Sequence, residues 1–263
     1  MNAYASTVLK QSIAALLVFG AHATSQAAEI VVTPGTPTWT SPASENTGGG
    51  SSTITGAMAR SGNGSVEITG DRTRLFGLGN PYSPGSNLGL LSQLSSLTFD
   101  WAIAGGSTSN LHPDYTPALR VHVFDNGQRS ELIWEGAYNG AYGATDRDTW
   151  YTTDTGDNFY RWVSGSGVTL DNGSQVNQAL GGWIGSGYYS TAAYISGFSI
   201  GAGSSVGGGY HAFADNVTIV LDGESTTYNF ELEAAEVPEP GTIALLGLGL
   251  AGAALARRRQ RAR

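Results

Sequence analysis

The stretch FADNVTIVLDGESTTYNFEL, residues 213–232, has the pattern of a β-hairpin. Its first half places apolar residues at even spacing, so in a strand they share one face with Asp215: Phe213, Val217, Ile219 and Leu221. Asp222-Gly223 then supplies a favoured two-residue hairpin turn. Apolar and polar residues alternate again over 228–232. We therefore predict two antiparallel strands joined at Asp222-Gly223.

Earlier segments show the same alternation. In 97–104 the residues Phe99, Trp101 and Ile103 fall on one face, and 119–125 alternates more weakly. In 131–135, Leu132 and Trp134 alternate with Glu131, Ile133 and Glu135. Glycine-rich turns separate these short segments, a pattern typical of antiparallel sheets.

These patterns predict an all-β fold, a single antiparallel β-sandwich of jelly-roll type over residues 28–234. Residues 28–50 are interpreted as a lead-in strand and loop. One short helix is predicted from Asn172 or Gly173 to about Gly181, on the apolar residues Val176, Ala179 and Leu180.

The closing strands resemble those of carbohydrate-binding-module-like and concanavalin-like β-sandwiches, through Ala214–Ile219 and the Tyr-Asn-Phe-Glu stretch at 228–231. The resemblance implies that an acidic residue on this strand, here Asp215, helps to bind a structural Ca²⁺. The alternative is a carboxylate that accepts hydrogen bonds from backbone amides, since a buried Asp needs a partner. No other cofactor or metal site is predicted.

The charge of the chain is unevenly distributed. Between Ala28 and Glu236 there are seven Arg against 20 Asp and Glu, a net charge of −13 (7 − 20). Such a body repels nucleic acid, so no nucleic-acid partner is predicted. The chain contains no Cys, which excludes disulfides and thiolate zinc sites.

The first 27 residues have the features of a secretory signal peptide. Lys10 gives a positive start, Ile13–Gly20 is a short apolar run, and Ser25-Gln26-Ala27 offers the small residues that signal peptidase requires. We predict cleavage after Ala27, with cleavage after Ala28 as the alternative. A buried N-terminal helix is the other interpretation of this segment.

The last 27 residues, 237–263, read VPEPGTIALLGLGLAGAALARRRQRAR. Residues 241–256 carry no charge and predict a transmembrane helix of about 24 Å, a little short of the ~30 Å hydrocarbon core. Five arginines follow and are predicted to stop transfer on the cytoplasmic side, with the body outside: Arg257, Arg258, Arg259, Arg261 and Arg263.

This order of Val237-Pro238-Glu239-Pro240, apolar helix and arginine cluster resembles the PEP-CTERM protein-sorting signal. The resemblance implies a Gram-negative bacterium and an exosortase that processes the chain near the Pro-Glu-Pro. It also implies transient residence in the inner membrane and export to the cell surface, often in species that make exopolysaccharide. An ordinary membrane anchor is the alternative.

Within the body, no catalytic motif stands out. A glycosidase needs two carboxyl groups close together. Two acidic pairs have the spacing that places both side chains on one face of a strand, Glu131/Glu135 and Asp146/Asp148, but an acidic protein has many such pairs. No nucleophile elbow is present, and His112, His122 and His211 lack metal-pair spacing. Two aromatic groups are candidate sugar platforms: Trp183, Tyr188 and Tyr189, and then Trp150, Tyr151, Tyr160 and Trp162.

The sequence therefore predicts an exported, exosortase-processed protein of the cell surface or extracellular matrix, membrane-anchored before processing. Its sandwich is predicted to have a non-enzymatic structural or adhesive role, with exopolysaccharide as the candidate ligand. The alternatives are an extracellular glycan hydrolase and a protein that stays anchored in the membrane.

Overall fold

The computed structural model describes residues 27–185 and 187–233. The predicted signal peptide, apart from Ala27, and the whole predicted sorting signal at 237–263 lie outside the described residues. Within the described ranges, no helix combines the length and the apolar character that crossing a membrane requires.

The described chain is built mainly from short strands. They are β1 Ala28–Val32, β2 Trp39–Thr40, β3 Ser51–Thr55, β4 Ser65–Thr69, β5 Leu75–Gly77, β6 Leu94–Ile103, β7 Ala118–Asp125, β8 Gln128–Trp134, β9 Tyr151–Thr152, β10 Asn158–Val163, β11 Gly167–Val168, β12 Leu170–Asp171, β13 Ser174–Gln175, β14 Asn177–Ala179, β15 Tyr194–Gly201, β16 His211–Leu221 and β17 Glu224–Phe230. One α-helix, α1 at Leu180–Gly185, follows β14, and 3-10 turns lie at Ala43–Glu45, Leu91–Gln93 and Gly136–Tyr138.

Two large sheets form the fold. The seven-stranded sheet has the order β1-β17-β16-β4-β3, with β6 also paired to β16 and β9 paired to β6. The eight-stranded sheet has the order β11-β10-β8-β7-β15-β5-β2, with β14 also paired to β10. Strands within both sheets pair antiparallel, apart from the parallel pair β1 and β17.

The hydrophobic core lies between the two sheets. Trp39 of the eight-stranded sheet meets Phe230 of the other sheet with ring centroids 5.0 Å apart, and Phe99 meets Trp134 at 5.1 Å. Both contacts are edge-on, an arrangement that aromatic pairs prefer. The predicted all-β class and antiparallel sandwich are confirmed; the jelly-roll assignment stays a prediction.

The predicted hairpin at 213–232 is confirmed. β16 and β17 pair antiparallel, and the turn residues Asp222 and Gly223 have φ of 52° and 79°, as a two-residue hairpin turn requires.

The prediction that Phe213 shares a face with Val217 and Ile219 is wrong. Val217 and Ile219 lie in the main core, whereas Phe213 packs in a separate cluster with Ala102 and Ala104. The pairing of β16 with β6 shifts by one residue after Asp215, where Asn216 has a φ of 48°. This β-bulge reverses the alternation, because one extra residue exchanges the two faces of a strand.

The predicted helix from Asn172 or Gly173 to Gly181 is also wrong. Strands β13 and β14 occupy most of this segment, and α1 begins only at Leu180. Asn172 and Gly173 have φ of 49° and 81° and form the turn between β12 and β13. Asn-Gly favours such a turn because both residues tolerate positive φ.

Candidate functional site

The outer face of the eight-stranded sheet, the side away from the core, carries an unusual set of charged side chains. On β8, Leu132 and Trp134 enter the core, while Glu131 and Ile133 turn to the outer face with Glu135, as the alternation predicts. The other strands of this sheet add alternate residues to the same face.

These side chains surround a cleft of about 420 Å³, which is within the usual size range of small-ligand sites. We call it the outer-face cleft. It is lined by Glu45, Arg72, Arg74, Tyr82, Leu111, Tyr115, Arg120, Arg129, Glu131, Ile133, Glu135, Tyr160, Trp162, Gly203 and Ser204.

Arg129 is held from three directions at one side of the cleft. Its Nη1 lies 2.6 Å from Glu131 Oε1. Its guanidinium carbon lies 4.7 Å from the ring centroid of Tyr82 and 5.3 Å from that of Trp162. A guanidinium within about 6 Å of an aromatic face is attracted by the ring quadrupole. These contacts fix both rings beside the cleft.

Glu131 is a buried carboxylate that stays ionised. Burial raises its pKa, but His122, Arg120 and Arg74 and the hydrogen bond from Arg129 more than offset this, and lower the pKa to about 2. Opposite charges and donated hydrogen bonds both favour the charged form.

Glu135 lies in a different environment on the same face. Its Oε1 accepts hydrogen bonds from Tyr160 Oη at 2.9 Å and from Tyr115 Oη at 3.3 Å. Burial raises the pKa of Glu135, although Arg120 and the two hydroxyls act against that rise. Burial also raises the pKa values of Tyr160 and Tyr115. Both tyrosines are therefore neutral donors at physiological pH.

Two arginines lie at the floor of the cleft. Arg74 Nη1 donates to the carbonyls of Ala202 at 2.6 Å and Thr73 at 2.8 Å, and burial next to Arg120 lowers its pKa to about 10. Arg120 is 1% exposed, and its Nη1 donates to the Ala118 carbonyl at 3.3 Å. Its Nε is buried without a hydrogen-bond partner among the described residues.

Three neighbouring side chains follow the order of a serine-hydrolase relay. Ser199 Oγ lies 2.8 Å from His122 Nε2, and His122 Nδ1 lies 3.7 Å from Glu131 Oε1. Burial lowers the pKa of His122 to about 3, so the ring is neutral near pH 7. Ser199 and His122 are 0% exposed, and a nucleophile must reach its substrate. This arrangement is a buried polar network.

The two predicted groups of aromatic residues lie in different environments. Trp183 is 0% and Tyr189 7% exposed, and both belong to the core. Tyr188 is half-buried and packs against that core, so the first group offers no platform. The second group is divided: Trp150 packs near Phe213, Tyr151 stacks on Trp101, and Tyr160 and Trp162 line the outer-face cleft. Tyr82, which is 40% exposed, joins these last two and was not singled out from the sequence.

The remaining candidate residues do not converge on a site. Asp148 caps the turn at Gly105, accepting from its amide at 2.7 Å. His112 stacks on Tyr142, and His211 Nε2 lies 2.8 Å from Glu67 Oε1. Over residues 27–185 and 187–233, no group of three or more His, Asp or Glu side chains has the geometry to hold a metal ion.

Asp215 is 0% exposed at the bulge in β16. Its Oδ1 accepts hydrogen bonds from the backbone amides of Asn216 at 2.7 Å and Phe230 at 3.0 Å. Because Ca²⁺ is bound by several oxygen ligands and not by N–H groups, this environment favours the second interpretation, a carboxylate held by amides.

A second cleft, of about 500 Å³, lies beside β5, β16 and β17 and is mainly apolar. Its lining includes Leu78, Leu88, Phe198, Leu221 and Tyr228, with Glu224 as the acidic member. The outer-face cleft is the better candidate site, because it combines charges, hydroxyls and aromatic faces.

Comparison with curated proteins gives no match for this sequence. The PEP-CTERM protein-sorting motif matches residues 236–260. The matched residues contain Val237-Pro238-Glu239-Pro240, the apolar run and the first three arginines of the cluster. The chain therefore carries a PEP-CTERM sorting motif, which implies export, membrane association before processing and an exosortase as the processing enzyme.

Proposed function

We propose that this chain is a component of the cell surface or extracellular matrix of a Gram-negative bacterium. In this route, signal peptidase removes residues 1–27, the apolar segment at 241–256 holds the precursor in the inner membrane, and the arginines up to Arg263 stop its transfer. Exosortase then processes the chain at Val237-Pro238-Glu239-Pro240. The sorting motif at 236–260 supports this route.

The sandwich, in this proposal, binds polysaccharide without chemically changing it. The supporting observation is the outer-face cleft, where the rings of Tyr82, Tyr160 and Trp162 border hydrogen-bonding and charged groups. Sugar rings have an apolar face and a rim of hydroxyls, and they match a surface that offers both aromatic stacking and fixed polar groups.

The test is affinity electrophoresis of the full chain, in mild detergent, through gels that contain polysaccharide from surface-polymer-producing bacteria. We expect retardation that Trp162→Ala reduces at least fivefold. Trp150→Ala is the matched control, because it removes the same side chain near Phe213 of the other sheet. Equal retardation of the two variants would contradict binding at the outer-face cleft.

An extracellular glycan hydrolase is the second candidate. The favouring observation is that Glu131 and Glu135 line one cleft and that their pKa values are shifted in opposite directions, as in an acid–base pair. Two observations argue against a hydrolase: Glu131 is only 6% exposed, and its carboxylate is paired with Arg129 at 2.6 Å. Release of reducing ends that Glu135→Gln abolishes would favour the hydrolase.

A permanently anchored protein is the third candidate. It differs from the sorted protein in its mature C-terminus, since an anchor keeps Arg257–Arg263 and exosortase processing removes them. The mass of the mature chain distinguishes the two.

A further inference from the structure

Positive charge is concentrated in the outer-face cleft, although the body as a whole is acidic. Four of the seven arginines between Ala28 and Glu236 line it: Arg72, Arg74, Arg120 and Arg129. Three carboxylates, those of Glu45, Glu131 and Glu135, line the same cleft. The formal balance, 4 − 3, gives the cleft a net charge of +1, opposite in sign to the charge of the body.

The existing contacts account for three of these guanidinium groups. Arg129 is paired with Glu131 at 2.6 Å, Arg72 with Glu45 at 3.2 Å, and Arg74 donates to two backbone carbonyls. Arg72 keeps 44% of its side chain exposed, so it can also reach a ligand at the rim.

Arg120 is the group whose bonding is incomplete. Its side chain is 2% exposed and its nearest carboxylate oxygen, Glu131 Oε2, is 3.8 Å from Nε, beyond a good hydrogen bond. A guanidinium has five N–H donors. The Arg120 Nη1 donates to the Ala118 carbonyl, but its Nε has no hydrogen-bond partner among the described residues, and an unsatisfied buried donor is costly. An acceptor with negative charge in the cleft would complete its bonding.

The cleft also suits a ligand larger than a simple ion. It has a volume of about 420 Å³ and is bordered by Tyr82 and Trp162, whose rings are fixed by Arg129. Glu135 uses one oxygen, Oε1, for its two tyrosine hydrogen bonds. A ligand that combines a carboxylate, hydroxyl groups and an apolar ring face matches all these features.

We propose that the outer-face cleft binds an acidic saccharide, a sugar residue with a carboxylate, and that Arg120 receives this carboxylate with Arg72 assisting at the rim. This inference rests on the proposed polysaccharide-binding function and narrows the ligand class. The bidentate geometry of a guanidinium suits a carboxylate better than a hydroxyl group.

The experiment compares one polymer in two forms: polygalacturonate, and the same polymer with its carboxyl groups reduced to alcohols. Binding of the full chain in mild detergent is measured by affinity electrophoresis and microscale thermophoresis. We expect at least tenfold tighter binding of the acidic form, weakened by added salt. Galacturonate oligomers should compete, and acetate or phosphate at the same concentration should not.

Two variants locate the binding. Arg120→Gln should lose at least tenfold in affinity for polygalacturonate, with circular dichroism checking that the fold is kept. If Arg120→Gln does not fold, Arg72→Gln at the exposed rim still tests the site. This variant should lose about threefold to tenfold in affinity for polygalacturonate. Arg60→Gln is the matched control, because Arg60 pairs with Asp100 of the other sheet.

Three other outcomes would contradict either the acidic-saccharide inference or the proposed polysaccharide binding. Equal binding of the acidic and reduced polymers overturns the acidic-saccharide inference and leaves polysaccharide binding intact. Competition by acetate or phosphate as strong as that by galacturonate oligomers means a simple anion site, which also overturns it. Failure to bind any polysaccharide overturns the proposed function itself.

Discussion

Arg129 Nη1 and Glu131 Oε1, two residues apart on the outer face of β8, lie 2.6 Å from each other. Glu131 keeps 8% of its side chain exposed and Arg129 keeps 17%. Removing one member of such a pair leaves the other charge buried without its closest partner, which costs far more than losing a surface ion pair.

Arg129→Met should therefore lower the free energy of unfolding by about 2 kcal/mol. Urea unfolding measures this change. Arg60→Met is the control, because Arg60 has a side chain that is 41% exposed and Asp100 keeps hydrogen bonds from Thr152 and Asn216. We expect a loss below about 1 kcal/mol for that variant, and equal losses would contradict the role given to Arg129.

His122 should make the protein less stable in mild acid. Burial lowers its pKa from 6.5 to about 3 in the folded state, so the unfolded chain binds the extra proton between these values. Stability is then fully present above pH 6.5 and falls towards pH 3, by about 3 kcal/mol at pH 4. Thermal melts of His122→Gln should show a flatter pH dependence than those of the parent protein, and parallel profiles would contradict this role of His122.

Asp215 should have the opposite pH dependence. Burial raises its pKa from 3.8 to about 7, although hydrogen bonds from the amides of Phe230, Asn216 and Ser61 act to lower it. The folded state therefore holds a proton that the unfolded state releases, and stability falls as the pH rises from about 4 to 7.

Asp215→Asn keeps an oxygen for the amides and removes this titration. Between pH 4 and pH 8, the free energy of unfolding of this variant should rise relative to that of the parent protein by up to about 4 kcal/mol. Asp222→Asn, in the hairpin turn, is the control. A pH profile of Asp215→Asn parallel to that of the parent would contradict the account.

Gly62 should be sensitive to substitution because of Glu231. The Glu231 carboxylate accepts hydrogen bonds from the amides of Asn63 and Gly64, and a Cβ at Gly62 would overlap its Oε1. Gly62 also has a φ of 64°. We expect Gly62→Ala to cost more than about 2 kcal/mol. Gly143→Ala, with a φ of 79° and open space around the glycine, should cost about 1 kcal/mol.

The sorting signal should fail when its Pro-Glu-Pro motif is damaged. In cells, Glu239→Ala or deletion of residues 238–240 should leave the full-length precursor in the inner membrane. Fractionation followed by immunoblotting measures this distribution. Normal surface delivery of either variant would contradict the assignment of Val237-Pro238-Glu239-Pro240 as the processing motif.

Local pattern was sufficient for the hairpin of β16 and β17 and for the facing of β8. The alternation around Asp222-Gly223 and the inward placement of Leu132 and Trp134 were both predictable, because they depend on neighbours in the sequence. The bulge at Asn216 was not, since it follows from pairing with β6, which lies more than 100 residues earlier.

The cleft was only partly predictable, because it also depends on pairing between strands that are far apart in the sequence. The spacing of Glu131 and Glu135 placed two acids on one face, but Arg120 comes from β7, Trp162 from β10, and Arg74 from the residue just before β5. Their meeting depends on the strand order β10-β8-β7-β15-β5. No local pattern encodes that order, and the burial of Trp183 and Tyr189 likewise follows from tertiary packing.

Export and processing of this chain are tested most directly by its intact mass after recovery from the native cell surface and medium. We expect a product that begins near Ala28 and ends close to Pro240. A product that still carries Arg257–Arg263 would contradict processing and would identify the C-terminal segment as a permanent anchor.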